Sequence, residues 1–261
     1  MKEPEEQADD DITVPRVSIT FGELKKISAD ERAALFLLGH ASNQLNVLQK
    51  VCSFSSNSAH RSHFLGYNEQ ASVEVGQTTI LARLWFGLIH EIWQMMTKHI
   101  IKNKVMGPGY IVNLHGNSKE ALERLNQSFG KNGSIAAIRN DYSFHTPRIK
   151  WLEKSAAEQP DSQVWTMETG PFFGNVFSGS TELLVNHAIN KHLGSLDQPT
   201  DLRELFSLSY ALTRDLQVVS QAVMSAVLAK IPEKKESSYL VRGAVDLTLF
   251  QLPFFLKEQR R

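Results

Sequence analysis

Between Ile135 and Pro147 the chain reads IAAIRNDYSFHTP, and two of its side chains, Arg139 and His145, are the types needed to cleave a phosphodiester without a metal. Arginine offers a planar fork of N–H donors to phosphate oxygens, and histidine exchanges a proton near neutral pH. Asn140 is placed to hold a phosphate oxygen or orient a partner. Asp141 stands four residues before His145, where a carboxylate can pair with the imidazole and raise its pKa, or simply form an ordinary helix ion pair. Ile135, Ile138, Arg139, Tyr142 and His145 fall in one broad sector of a helical wheel, which sets the arginine near an apolar face. Six residues on an ideal helix separate Arg139 from His145 by about 120°, too far for direct contact by short side chains. Arginine is long and the helix is ending, so both groups can still reach a common phosphate, particularly if a second copy supplies the same pair across a two-fold axis. The bland alternative is an arginine and a histidine that tie down a helix end.

The run Arg139-Asn140-Asp141-Tyr142-Ser143-Phe144-His145 resembles the signature of the HEPN superfamily, in which an arginine, often followed by a polar residue, precedes a histidine by four to six positions near a helix end. The resemblance implies a helical bundle that dimerises through this helix, and a metal-independent endoribonuclease of the kind found in toxin and antiphage systems. It implies that Arg139 binds and polarises the scissile phosphate and that His145 acts as general base or acid while the RNA 2′-hydroxyl attacks. Asn140 would then bind substrate, with Asp141 and Tyr142 in support, and neither metal nor cofactor is expected. The implied partners are a second copy, RNA, and a cognate antitoxin or other partner protein. A HEPN-like protein that binds RNA, a nucleotide or another protein without catalysis is the alternative.

Other constellations are weaker. Arg83 and His90 lie seven apart on one face of a helix and read as a polar edge, or as a contribution to the same basic pocket. His60 and His63 lack the acidic, His or Cys neighbours that a metal needs. His90-Glu91 begins like a zinc-protease HExxH helix, but Gln94 follows where the second histidine should stand. The glycines of FFGNVFSGS have no phosphate-loop lysine and no dinucleotide spacing.

The elements that must carry the motif are mostly helical. Ser28-Ala-Asp-Glu31 forms a capping box that predicts a first helix to about Cys52, and Ser53–Tyr67 reads as a mobile connection. A second helix is expected from about Val73 to Lys104, its apolar stripe formed by Leu81, Leu84, Leu88, Ile92, Met95 and His99. Gly107-Pro-Gly109 breaks the chain, and Asn117-Ser-Lys-Glu120 suggests another capping box for a short helix ending near Phe129. A further helix is expected over 134–144, stopped by Pro147, and another over 148–158. Two β runs at 162–168 and 172–178 predict a hairpin, followed by a short helix at 181–192. The strongest periodicity is Asp201–Lys230, with Leu205, Leu208, Leu212, Leu216, Val219, Val223 and Ala226 on one stripe and Asp215 off it. Ile12–Phe21 alternates as a short strand or extended lead-in, and Val245–Leu256 reads as a docked tail.

The expected fold class is therefore mainly α, a helical bundle of HEPN type with a small β-hairpin insertion at 162–178. The domain reading is a disordered acidic tail over 1–11 and one helical domain over 12–261, its HEPN-like core mainly 28–156 plus 201–230. The whole chain is formally neutral, but six carboxylates against Lys2 in the tail leave a body of about +5. That charge permits a nucleic-acid partner without arguing for one. A lone cysteine, Cys52, excludes an intramolecular disulfide and suits a reducing compartment. The acidic start is unlike a secretory signal, and Ile80–Met96 is interrupted by Arg83, Gly87, His90, Glu91 and Gln94, so no membrane partner and a cytoplasmic location are expected.

Overall fold

The computed structural model describes residues 12–66, 68–129, 139–140, 149–168, 177–193, 202–241 and 250–253. The fold is mainly α, with one small antiparallel strand pair among the described residues. β1 (Ile12–Ser18) leads through a short helical turn, α1 (Phe21–Leu24), to the capping box foreseen at Ser28. The Ser28 amide and hydroxyl both donate to Glu31 Oε2 at 2.8 Å, and the Ser28 oxygen accepts from the Glu31 amide at 3.3 Å. This launches α2 (Ala29–Phe64).

The expected break after Cys52 does not occur, and 53–64 continues α2. Serine and asparagine disfavour helix because their side chains compete for backbone groups, but here the hydroxyls have tertiary partners. Ser53 Oγ and the Tyr210 hydroxyl lie 2.8 Å apart, Ser55 and Thr78 also 2.8 Å, and Ser62 Oγ donates to the buried Glu74 carboxylate at 2.7 Å. Small buried serines at 55, 58 and 62 let a second helix approach closely. The chain reverses through Gly66, whose φ of 79° is the left-handed geometry that ends helices on glycine. His60 and His63 are exposed, and no group of three metal-ligating side chains occurs among the described residues.

The antiparallel partner is α3 (Asn68–Met96), which starts five residues before the expected Val73 and passes into a π-helical turn at Thr97–Ile101. Its buried line is Ala82, Trp85, Phe86, Ile89, Ile92, Trp93, Met96 and Ile100, which sets Leu81, Leu88 and Met95 at the flank and His99 in solvent. The large rings at 85, 86 and 93 claim the centre because they carry more apolar area than leucine. A Cβ at Gly76 would lie 2.4 Å from the ring of Phe177, so glycine is what admits that ring against α3. The Gly107–Ile111 segment is itself a π-helical turn containing Pro108, rather than a break.

α4 (Gly116–Ser128) begins at His115 without a side-chain cap, so the box expected at Asn117 is not formed. After it come α5 (Ile149–Ala157), α6 (Gly179–Leu193) and α7 (Leu202–Leu228). Leu212, Leu216, Val219 and Val223 of α7 are buried as the periodicity demands, but the stripe then steps to Val227 and leaves Ala226 exposed. Asp215, expected on the solvent side, is buried because Arg124 of α4 donates to both its oxygens at 2.8 and 2.9 Å. Trp85 anchors α3 to α7, its indole N–H donating to Thr213 at 3.1 Å and its ring meeting Tyr210 edge-on at 4.7 Å. Cys52 is buried in this core, which pushes its thiol up to about 12.

The expected strand within Ile12–Phe21 forms, and its partner comes from a segment that the pattern had not marked. β1 pairs antiparallel with β2 (Lys235–Val241), Ile12 opposite Val241, joining segments from the two ends of the chain. Of the expected 162–178 hairpin, the described residues contain a single antiparallel rung, Glu168 with Phe177. Residues 1–11, 130–138 and 141–148, including most of the expected 134–144 helix, lie outside the described residues. Of the expected tail, Phe250–Pro253 docks on the helical pair, with Phe250 stacked on Phe54 at 5.0 Å and the Leu252 amide donating to the Phe54 carbonyl. Among the described residues no helix is long and apolar enough to cross a membrane.

Candidate functional site

The last turns of α3 place His90 and Glu91 side by side, His90 toward the protein and Glu91 toward solvent. Arg139 comes against this pair from the segment that carries the motif. Its Nε and Nη2 both donate to Glu91 Oε1, at 2.7 and 2.6 Å, and its Nη1 donates to the Asn140 side-chain oxygen at 3.0 Å. The guanidinium side chain is 32% exposed and the Glu91 side chain 45%, so solvent reaches the pair. An ion pair this exposed contributes at most about 1 kcal/mol, and its main effect is to fix the direction of the fork.

The imidazole of His90 is 13% exposed. Burial pushes its pKa below the ordinary histidine value and the Arg139 charge adds to that, while Glu91 opposes both. Both effects favour the neutral ring. Its Nδ1 is buried without a hydrogen-bond partner, 4.0 Å from Glu91 Oε1. Phe129, at the end of α4, closes the other side, its ring 6.3 Å from His90 and stacked on Trp93 at 5.1 Å. The assembly is a cation whose donors are aimed by a carboxylate, next to a neutral base backed by aromatic rings.

Of the sequence-derived residues, Arg139 and Asn140 are brought together, while Asp141, Tyr142 and His145 lie outside the described residues. The histidine found beside Arg139 is His90, from the pair read as a polar helix edge or as a contribution to the same basic pocket. Arg83 does not join it. Its Nη2 lies 2.8 Å from Glu182 Oε2, and both side chains are largely buried where α3 meets α6. Glu91 had no local mark, since its partner lies 48 residues along the chain.

Because Arg139 depresses the imidazole electrostatically, Arg139→Gln is expected to raise the His90 titration midpoint, read from the pH dependence of its ring proton shifts by NMR. An unchanged midpoint would show that the two groups do not sense each other.

Compared with protein-family models, curated proteins and solved structures, the chain matches none, and the grouping of Arg139, Asn140, His90 and Glu91 is the description of the site that its own chemistry provides.

Proposed function

We propose that this protein is a HEPN-like endoribonuclease that needs no metal, with Arg139 as its phosphate contact and histidine as its proton carrier. The observation that carries the reading is the solvent-reached guanidinium of Arg139 on Glu91, whose neighbour His90 is largely buried, which favours the neutral ring that can accept a proton. In the proposed reaction a histidine takes the proton of the RNA 2′-hydroxyl and the 2′-oxygen bonds to phosphorus. The bond to the 5′-oxygen breaks, and a second histidine returns a proton to that leaving oxygen. Arg139 holds the non-bridging oxygens as charge builds on them, and Asn140 supports that contact. His145 is the residue that the HEPN resemblance assigns to proton transfer, and a second copy across a two-fold axis would double the set. Action in the cytoplasm, within a toxin or antiphage system and restrained by a cognate antitoxin or other partner protein, belongs to the same reading.

A second reading has its own support. The Arg139 fork is already bonded to Glu91 and Asn140, which suits a HEPN-like protein that binds RNA, a nucleotide or a protein and does not cleave.

Incubation of the purified protein with RNA in excess chelator separates the two. The expected products carry 2′,3′-cyclic phosphate and 5′-hydroxyl ends, and both Arg139→Ala and His145→Ala abolish their formation with the circular dichroism unchanged. RNA retention without cleavage would favour the second reading, and undiminished cleavage in either variant would overturn the first.

A further inference from the structure

A cleft of about 700 Å3 opens between α6 and the segment that follows α5. On one side stand Val164 and Trp165, 69% and 61% exposed, and on the other Leu183, 57% exposed. An indole standing this far into solvent at the mouth of a cleft offers an unused flat face. Between these apolar walls the lining is polar and rich in amides, with Gln159, Gln163, Asn186 and Asn190 beside Asp161 and Ser180, and among the described residues it contains no lysine or arginine. His187 and Lys191 at the rim both turn to the Glu158 carboxylate. Asn186 also borders two neighbouring cavities of about 340 and 520 Å3, and its side-chain oxygen is buried with no hydrogen-bond partner. A buried acceptor without a donor is costly, and it belongs to the residue that borders all three cavities.

We propose that this cleft is a nucleobase subsite, in which a base stacks on Trp165 and turns an N–H edge toward Asn186. A base has two apolar faces and an edge of donors and acceptors, which matches a wall of one indole and several amides. The Asp161 carboxylate in the lining disfavours a phosphate here. The Arg83–Glu182 ion pair clamps α6 to α3 seven residues before His90, about 10 Å along the helix axis. Glu182 precedes Asn186 by one helical turn, so this ion pair ties the helix that lines the cleft to the helix that carries His90. In naming where the base of that RNA binds, the proposal rests on the ribonuclease reading.

The test titrates the full chain with adenosine, guanosine, cytidine and uridine, and separately with ribose 5-phosphate, maltose and a short apolar peptide, using saturation-transfer NMR. At least one nucleoside is expected to bind, with affinity at least 10-fold lower in Trp165→Ala and in Asn186→Leu, and unchanged in Arg139→Ala. Trp165 is largely exposed, so its variant should keep the native circular dichroism. The proposal is overturned if no nucleoside binds, if Trp165→Ala binds them as well, or if maltose, ribose phosphate or the peptide binds as tightly. Nucleoside binding without Arg139-dependent cleavage would remove only the ribonuclease reading. Cleavage without nucleoside binding would remove only the subsite.

Discussion

Arg139→Ala is expected to lower metal-free RNA cleavage by at least about 100-fold, the usual loss when a preorganised donor to transition-state charge is removed. The same substitution should barely change stability, because the Arg139–Glu91 pair is solvent-reached and such pairs contribute about 0–1 kcal/mol. The combination is diagnostic, since a purely structural arginine would show the reverse pattern. Glu91→Gln gives the complementary result. In the resting protein the Glu91 carboxylate occupies two of the guanidinium's donors and repels an incoming phosphate. Replacing it with an amide keeps the shape, removes the repulsion and should tighten RNA binding several-fold. Cleavage and RNA affinity measured side by side in both variants check this. A Glu91→Gln protein that binds RNA more weakly, or an Arg139→Ala protein that cleaves normally, would remove Arg139 from the active site.

The largest effect on stability is expected at Glu31. Its side chain is only 7% exposed, and its second oxygen accepts from the Tyr110 hydroxyl and from Lys230 Nζ, the latter at 2.6 Å. Burial alone would push this carboxyl up, but hydrogen bonds from Lys230, Tyr110 and Ser28 together outweigh it and hold the pKa at about 2, against an ordinary 4.5. A shift of that size corresponds to about 3 kcal/mol of stability at neutral pH. The folded pKa lies below the unfolded one, so this stability is present above about pH 4.5 and is lost as pH falls toward 2. Glu31→Gln should therefore lower unfolding stability at pH 7 by about 3 kcal/mol, and the difference from the parent should shrink toward pH 2. Urea unfolding at pH 7, 4 and 2.5 measures both. Equal midpoints at pH 7, or a gap that does not close with acid, would mean that the carboxylate charge is not what joins the start of α2 to Tyr110 and Lys230.

Glu31 also marks the boundary between local and tertiary information. Its role in the capping box is written in four consecutive residues, because the partners of an N-cap lie three positions apart. Its contacts with residues 79 and 199 positions away are not. The same division runs through the chain. Most of the α7 stripe was legible, since burying one face imposes a 3.6-residue period, and the bounds of α5 and α6 were close for the same reason. The serine-rich half of α2 was not, because helix propensity counts what a serine loses locally and not the hydroxyl, carboxylate or ring opposite it on another helix.

The amino-acid sequence by itself determined a mainly helical chain, the start of its first long helix and most of the face of its last. Only the tertiary structure decided that β1 pairs with a strand from the far end, that Asp215 is buried against Arg124, and that Arg139 is aimed by Glu91 beside a largely buried His90. The physical reason is range. Caps and helical periods arise from groups a few residues apart, whereas ion pairing, desolvation and the pKa of an imidazole depend on atoms that folding brings together from anywhere in the chain.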